Sequence, residues 1–521
     1  EGEHTIWDLL VENPDRYIYP AVQHGTQLEL PDEIAVGIDD VSQREQWNTP
    51  APPEYGLPTE NWRETVARHQ RCFDIRGQLE NGKISQINDL ITLNLDMQQF
   101  AQDVLGYTDS PDVIRAFWKS LNRITVLDPT CGSGAFLFAA LNILEPMYEA
   151  CLERMEGFLS ELDENAHPQK YSDFREVMAR IDQHPNRTYF ILKSIIIQNL
   201  YGVDIMEEAI EIAKLRLFLK LMAQVDDKRK IEPLPDIDFN IRAGNTLVGF
   251  ATQDEVRQAL TKTSSGQGKL LFGEDNKALE EIERKAQEID QLFGAFRKQQ
   301  TEIGGEASPE DKVKLKYQLA ELEAELNHLL ARQYGVDPSK ESQYNKWRKS
   351  HKPFHWFTEF YGVLKTGGFD VIIGNPPYVE YSKVKKEYTI LGYKTEKAGN
   401  LYAHVIERCT KILQSNGFDV LTERTQSALM EMLGNAQGDF FPRSIIEVWD
   451  ELAANEKRHN LQIQPSIGIR YPAAIYFFVN KKSVPLANII ESGLEKAILV
   501  GKFDALFKAN YQAYIQKAQL N

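Results

Sequence analysis

Asn375-Pro376-Pro377-Tyr378 puts a side-chain amide, a proline-fixed carbonyl and an aromatic ring into four consecutive residues. A ring-conjugated amine, such as the exocyclic amine of adenine, is a poor nucleophile because its lone pair is delocalised. Two acceptors aimed at its hydrogens, the Asn375 side-chain oxygen and the Pro376 carbonyl, would favour a tetrahedral nitrogen and disperse the charge that develops during attack. The prolines would fix those acceptors, and Tyr378 would stack on a base rotated out of its duplex. Read alone, the four residues also fit a rigid turn with a packed tyrosine.

A second constellation precedes it in the chain. In Asp128-Pro129-Thr130-Cys131-Gly132-Ser133-Gly134 an acid ends a strand and two glycines let backbone approach a ligand that a β-carbon would hold off. An acid before the glycines suits a cationic amino-acid moiety better than a pyrophosphate. Asp204-Ile205, after Asn199 to Val203, supplies a carboxylate that can accept from the hydroxyls of a ribose, or else cap the helix that follows. Asp204 lies 204 − 134 = 70 residues beyond Gly134, against a usual separation of ~20, so a helical excursion must intervene. Asn245, within Arg242 to Leu247, could bond the edge of an adenine by accepting from its amine and donating to its ring nitrogen, although the turn alone would also explain an amide there.

These residues need a frame. Short β-rich runs at 124–127, 200–203, 239–242, 369–373 and 418–422 alternate with helical segments, which predicts an α/β fold with a doubly wound, mostly parallel sheet, Rossmann-like, whose ligands gather at the strands' carboxyl ends. Residues 1–85 show no sustained period and are expected to be irregular. Apolar positions from Leu90 through Phe117 recur at helical spacing, so 86–122 is expected to be a helical lead-in. The catalytic domain is expected over 123–433, with helical insertions at 145–198 and 251–350. Within the second, Ala278 to Phe296 and Lys312 to Tyr334 read as a charged helical hairpin, expected to stand as a solvated arm or else to contact a partner or DNA. Residues 434–521 are expected to finish the catalytic domain and begin a target-recognition region, with further strands at 445–448 and 473–479.

A chain of 521 residues with 42% hydrophobic content can bury a large core and should form two or three domains. Cysteines 72, 131, 151 and 409 make no disulfide framework and no metal-spaced pair, and no resident metal is expected. With no apolar run of bilayer length evident, a cytoplasmic protein without a membrane partner is expected. The net charge of −17 opposes general binding to phosphate, so any nucleic-acid surface must be a local basic patch. Candidates are Lys346, Arg348, Lys349 and Lys352, and then Lys383, Lys385, Lys386 and Lys394.

Asp128-Pro-Thr-Cys-Gly-Ser-Gly followed downstream by Asn375-Pro-Pro-Tyr resembles the amino-methylating DNA methyltransferases in their gamma arrangement. Asp109-Ser110-Pro111-Asp112 looks like their first cofactor-contacting motif, although it departs from the usual Tyr-Thr-Pro form. Gly399-Asn400-Leu401-Tyr402 also fits. The long run from Ile87-Asn88-Asp89-Leu90-Ile91-Thr92 through Phe136-Leu137-Phe138-Ala139-Ala140-Leu141 makes the chain look most like the large methylases of phage-defence systems, BREX PglX-like or DISARM-like, and like type IIG restriction-modification enzymes. The resemblance implies S-adenosyl-L-methionine as cofactor, double-stranded DNA as substrate, transfer to N6 of a flipped adenine, and other defence-system proteins as partners. It also implies Asp128, Pro129, Thr130, Cys131, Gly132, Gly134, Asp204, Ile205, Asn245, Ser110 and Pro111 as cofactor residues.

After Gly417 the form Gly-x-x-x-Phe-Ile-Val-Pro is expected and Phe418 to Glu423 differ from it. That departure, a short C-terminal region and the absence of an initial Met are expected if the sequence is a piece of a longer chain. No nuclease constellation can be assembled: Glu283-Arg284-Lys285 sits in a long helix, so modification without cleavage is expected. Two competing functions remain, a protein-glutamine methyltransferase using the same amide chemistry, and a binding or sensing subunit of a defence complex active only when assembled.

Overall fold

A computed structural model describes residues 5–162, 169–225, 229, 232, 234–261, 273–301, 309–395 and 399–413. These fall into two compact units that divide after Val104.

The first unit is helical. Residues 1–85, expected to be irregular, instead hold several helices, the longest being Trp62–Glu80. Its start is written locally: the Asn61 side chain accepts from the Glu64 N–H while Glu64 reaches back to the Asn61 N–H. Sparse apolar residues hide this helix from a periodicity reading, yet Val66, Cys72, Ile75 and Leu79 all bury one face. Arg16 and Tyr17 both bond Asp103, which tightens the unit.

The second unit, from Leu105, carries an α/β sheet of four parallel strands: β1 (Val126–Asp128), β2 (Leu200–Asp204), β3 (Ile241–Ala243) and β4 (Val371–Ile372). Their spatial order is β3-β2-β1-β4. The chain therefore works outward from β1 in both directions, and the sequence reverses direction between β1 and β4, where such sheets bind ligands. The expected fifth strand at 418–422 and the later ones at 445–448 and 473–479 lie outside the described residues.

Side-chain alternation assigns the two faces of the sheet. Tyr201 and Val203 join a cluster with Trp356, Phe360 and Phe369, whose rings meet edge to face. Gly202, between them, faces the other way, with Leu137 and Cys131 close against it. Trp356 has no accessible surface, and truncating it to alanine would cost about 3–5 kcal/mol.

Leu137 belongs to helix Ala135–Ser160, which rises directly from the glycine turn and runs through Pro146 without a break. It is, among the described residues, the one helix long and apolar enough to cross a membrane, whereas no apolar run of that length is expected from sequence. Here it is a core helix, packed on Pro111–Leu121 and Arg187–Gln198, with Tyr148 bonded to the Leu121 carbonyl and to Asn199.

Helices Gly273–Thr301 and Pro309–Gln333 lie against each other as a hairpin. They are not a solvated arm. Leu279, Ile282, Ile289, Leu319, Leu322 and Leu326 share one core with Leu247, Val248 and Phe250, the loop after β3. Lys312 and Lys316 also reach across to Asp238. The apolar stripe is narrow beside the charged surface, which is why composition alone reads as solvated.

Candidate functional site

Because all four strands are parallel, Asp128, Asp204, Asn245 and Asn375 all follow strand ends on one edge of the sheet. The edge is stitched together by backbone. Cys131 N–H donates to the Val203 carbonyl at 3.0 Å, Gly244 N–H to Asp204 at 2.8 Å and Ile373 N–H to Leu127 at 2.9 Å.

The turn after β1 needs its glycines. Gly132 has φ +49° and Gly134 φ +84°, a region costly for residues with a β-carbon. A β-carbon on Gly132 would meet nothing, so the space above the turn is open, whereas one on Gly134 would press Ala213 at 3.2 Å. Asp204 fixes the turn: its carboxylate accepts from the Gly132 N–H and from the Met206 N–H, both at 2.9 Å. This closes a turn ahead of helix Glu207–Met222 and does not cap it, since Met206 is that helix's N-cap and has no side-chain cap bond, and lone pairs on Asp204 remain for other donors. Ile205 follows it, half-buried. Pro129 is buried, and its carbonyl accepts from the Thr246 hydroxyl.

Asp128 is 1% exposed. One carboxylate oxygen accepts from the Thr130 N–H at 3.0 Å, and the other has no partner among the described residues. Burial, with Asp204 adding to it, pushes its carboxyl up to about 7. The Cys131 thiol is likewise raised by burial. Thr130 Oγ1 and Asn245 Nδ2 are also buried and unpartnered among the described residues. An acid, a hydroxyl and an amide donor, each unsatisfied, thus surround an open turn, and unsatisfied buried groups of this kind mark a place for a polar ligand.

Asn245 departs from expectation in one respect. Its side-chain oxygen accepts from the Leu247 N–H at 3.0 Å, so only the amide N–H is available to donate. Ser110 and Pro111 are not brought to this edge either. Arg154 donates to the Thr108 carbonyl and pairs with Asp109, which holds that segment against the far part of helix Ala135–Ser160. Arg154 is 19 residues beyond Ala135, roughly 28 Å along the helix.

Asn375-Pro376-Pro377-Tyr378 leaves the sheet directly after β4, past Gly374, which abuts Asp128. Asn375 is exposed and the prolines half-buried. Tyr378 is 74% exposed, and its ring centroid lies 5.6 Å from that of Tyr402. The segment is clipped beyond the tetrapeptide: Leu401 N–H donates to Val379 and Tyr381 N–H to Gly399. Asn400 caps helix Leu401–Ile412.

Sequence reasoning places Lys352 in a basic patch and misses Pro353 to Trp356. Phe354 fills the space over Gly244 and Gly249, and Trp356 donates to the Thr246 carbonyl at 3.1 Å. A run of aromatics after Pro353 was the available signal. Lys346, Arg348, Lys349, Lys383, Lys385, Lys386 and Lys394 are exposed, while Lys352 is half-buried. Among the described residues no group of His, Cys, Asp or Glu side chains is arranged to hold a metal.

Residues 198–422 match the Eco57I restriction-modification methylase family, and residues 105–248 match the DNA-methyltransferase domain of the MmeI family. A putative type II restriction enzyme and methyltransferase of Methanocaldococcus jannaschii is 26% identical over 369 residues, 64% of this chain and 28% of the relative. The chain thus spans little more than a quarter of that relative's length. No solved structure matches. Taken with the geometry at the strand ends, these matches support a methyltransferase of restriction-modification type, and so an enzyme, over the second unit.

Proposed function

We propose that this chain transfers a methyl group to the N6 amine of an adenine flipped out of double-stranded DNA, with S-adenosyl-L-methionine as donor. The observation that carries the reading is the single edge at which Asp128, Asp204, Asn245 and Asn375 meet, with Gly374 pressed against Asp128. S-adenosyl-L-methionine supplies, when bound, an electrophilic methyl on a sulfonium.

The residues present fit such a group. Asp128 would take its amine, the Thr130 to Gly134 turn its backbone, Asp204 and Ile205 its ribose, and the Asn245 amide N–H a ring nitrogen of its adenine. Asn375 and the Pro376 carbonyl would accept from the target amine, and the prolines fix that acceptor pair. Tyr378 would stack on the base. Exposed Lys383, Lys385 and Lys386, and Lys346, Arg348 and Lys349, would attract duplex phosphates despite the overall negative charge.

The setting we assign is cytoplasmic restriction-modification or phage defence, of BREX PglX-like, DISARM-like or type IIG kind, with other defence proteins as partners. Tritium transfer from labelled cofactor to duplex DNA is the test. Asn375→Ala should abolish transfer while cofactor binding persists. Label appearing only in protein, the outcome for a glutamine methyltransferase, or transfer retained by Asn375→Ala, would overturn the reading.

A further inference from the structure

Lys352 stands where glycine is the usual choice. It ends helix Glu341–His351 with φ 42° and ψ 59°, the left-handed conformation that disfavours any residue with a β-carbon. Strain of this kind persists where the surrounding structure holds the residue in place. The Lys352 ammonium donates to the Ile205 carbonyl at 3.0 Å, and the Lys352 carbonyl accepts from the Asn245 N–H at 2.8 Å. Pro353, the next residue, bridges to Asn245.

One residue therefore grips both sides of the notch between the ends of β2 and β3. Those ends are themselves adjacent, since Asp204 pairs with Ala243. Ile205 and Met206 follow the carboxylate whose two oxygens hold the glycine turn and the Met206 N–H ahead of the next helix. Pinning the Ile205 carbonyl fixes that stretch, while the main-chain bond holds the backbone of Asn245, whose side chain the Leu247 N–H then orients.

We propose that Lys352 is a positioning residue of the cofactor pocket, locking the ribose side at Asp204-Ile205 to the adenine side at Asn245, and that it is not part of the DNA surface. The inference rests on the reading of this edge as an S-adenosyl-L-methionine site. Lys352 acts through backbone on its neighbours and does not touch reacting atoms. Its partial burial separates it from Lys346, Arg348 and Lys349 on the same helix, which are exposed.

Lys352→Gly provides a clean separation, because glycine relieves the left-handed strain while deleting the ammonium. Three measurements are made on the full chain: S-adenosyl-L-methionine affinity by titration calorimetry, melting temperature, and the salt dependence of binding to a plain duplex. The expected result is an affinity reduced about tenfold, as for loss of one charged hydrogen bond, with melting temperature unchanged or raised. The slope of log affinity for duplex against log salt should stay as in the wild type.

Wild-type cofactor affinity in Lys352→Gly, a melting temperature that falls together with affinity, or a salt slope reduced by about one unit as for a lost phosphate contact would each overturn the inference. Lys352→Met, which keeps the strain and loses the bond, should lose affinity equally and melt lower. A wild-type chain that binds no S-adenosyl-L-methionine would overturn the underlying site reading, a result distinct from any of these.

Discussion

A β-carbon on Gly374 would lie 2.6 Å from Oδ1 of Asp128 and 3.6 Å from Cδ of Pro129. The oxygen cannot swing away, because the Thr130 N–H holds it at 3.0 Å in a side chain with almost no exposed surface. β4 thus delivers Asn375 within one residue of the acid that ends β1. Gly374→Ala should destabilise the chain by about 1–3 kcal/mol, the ordinary cost of overpacking. Thermal melting checks this, and an unchanged midpoint would show the contact to be slack.

The Asp128 carboxyl has a signature in pH. Burial raises it to about 7, above the ~3.9 of an unfolded chain. A raised carboxyl favours folding through its neutral form, so that contribution is full below about pH 4 and is lost as pH rises through about 7. Asp128→Asn should flatten the stability profile of the cofactor-free chain between those limits. Binding of a cationic amine draws on the ionised form instead, so affinity for S-adenosyl-L-methionine should rise about fivefold from pH 6 to 7. Calorimetry at the two pH values, with Asp128→Asn as the flat control, decides it.

Tyr378 and Tyr402 present adjacent rings at the open edge. Removal of a base-stacking ring costs roughly 1–3 kcal/mol, so Tyr378→Ala should slow transfer to duplex DNA about tenfold to a hundredfold. Tyr378→Phe should retain most of the rate, since the ring and not the hydroxyl does the stacking. Equal loss in both variants, measured by tritium transfer, would argue against stacking.

Arg408 is buried, and its guanidinium donates to Tyr393 Oη at 2.9 Å, to the Gly249 carbonyl at 3.1 Å and to the Leu247 carbonyl at 3.3 Å. It also pairs with Glu255 at 3.5 Å. Arg408→Met would take the donor from the Gly249 carbonyl, while Leu247 keeps Tyr393 and Glu255 keeps Lys411 and the Ala251 N–H, at a cost of about 1–3 kcal/mol. The loop after Asn245 should then loosen, seen as faster amide exchange at Val248 to Ala251.

How far sequence reaches is visible residue by residue. The Asp128 turn and the Asn375 tetrapeptide announce themselves because their constraints are local, namely glycines at positive φ and prolines that end a strand. The four strands were legible within two residues or so at their ends for the same reason, since apolar runs bounded by turns need no distant partner. Lys352 reads from sequence as surface charge, because its partner Ile205 lies 147 residues away. For Ser110 and Pro111 the deciding contact is again distant, since Arg154, 46 residues from Thr108, anchors the start of their segment. Asn245 was half legible: its side chain is at the edge, but the oxygen closes its own loop.

The shared core of the 273–333 hairpin and the Leu247 to Phe250 loop fixes a register. Each residue added to or removed from an α-helix turns everything beyond it by about 100°. A two-residue deletion in Pro309–Gln333 would carry Leu319, Leu322 and Leu326 to the solvent side and expose the loop beneath them. Insertions and deletions in this hairpin should therefore be tolerated in whole turns or at its tip, and its length is tied to the geometry of β3 rather than free to drift.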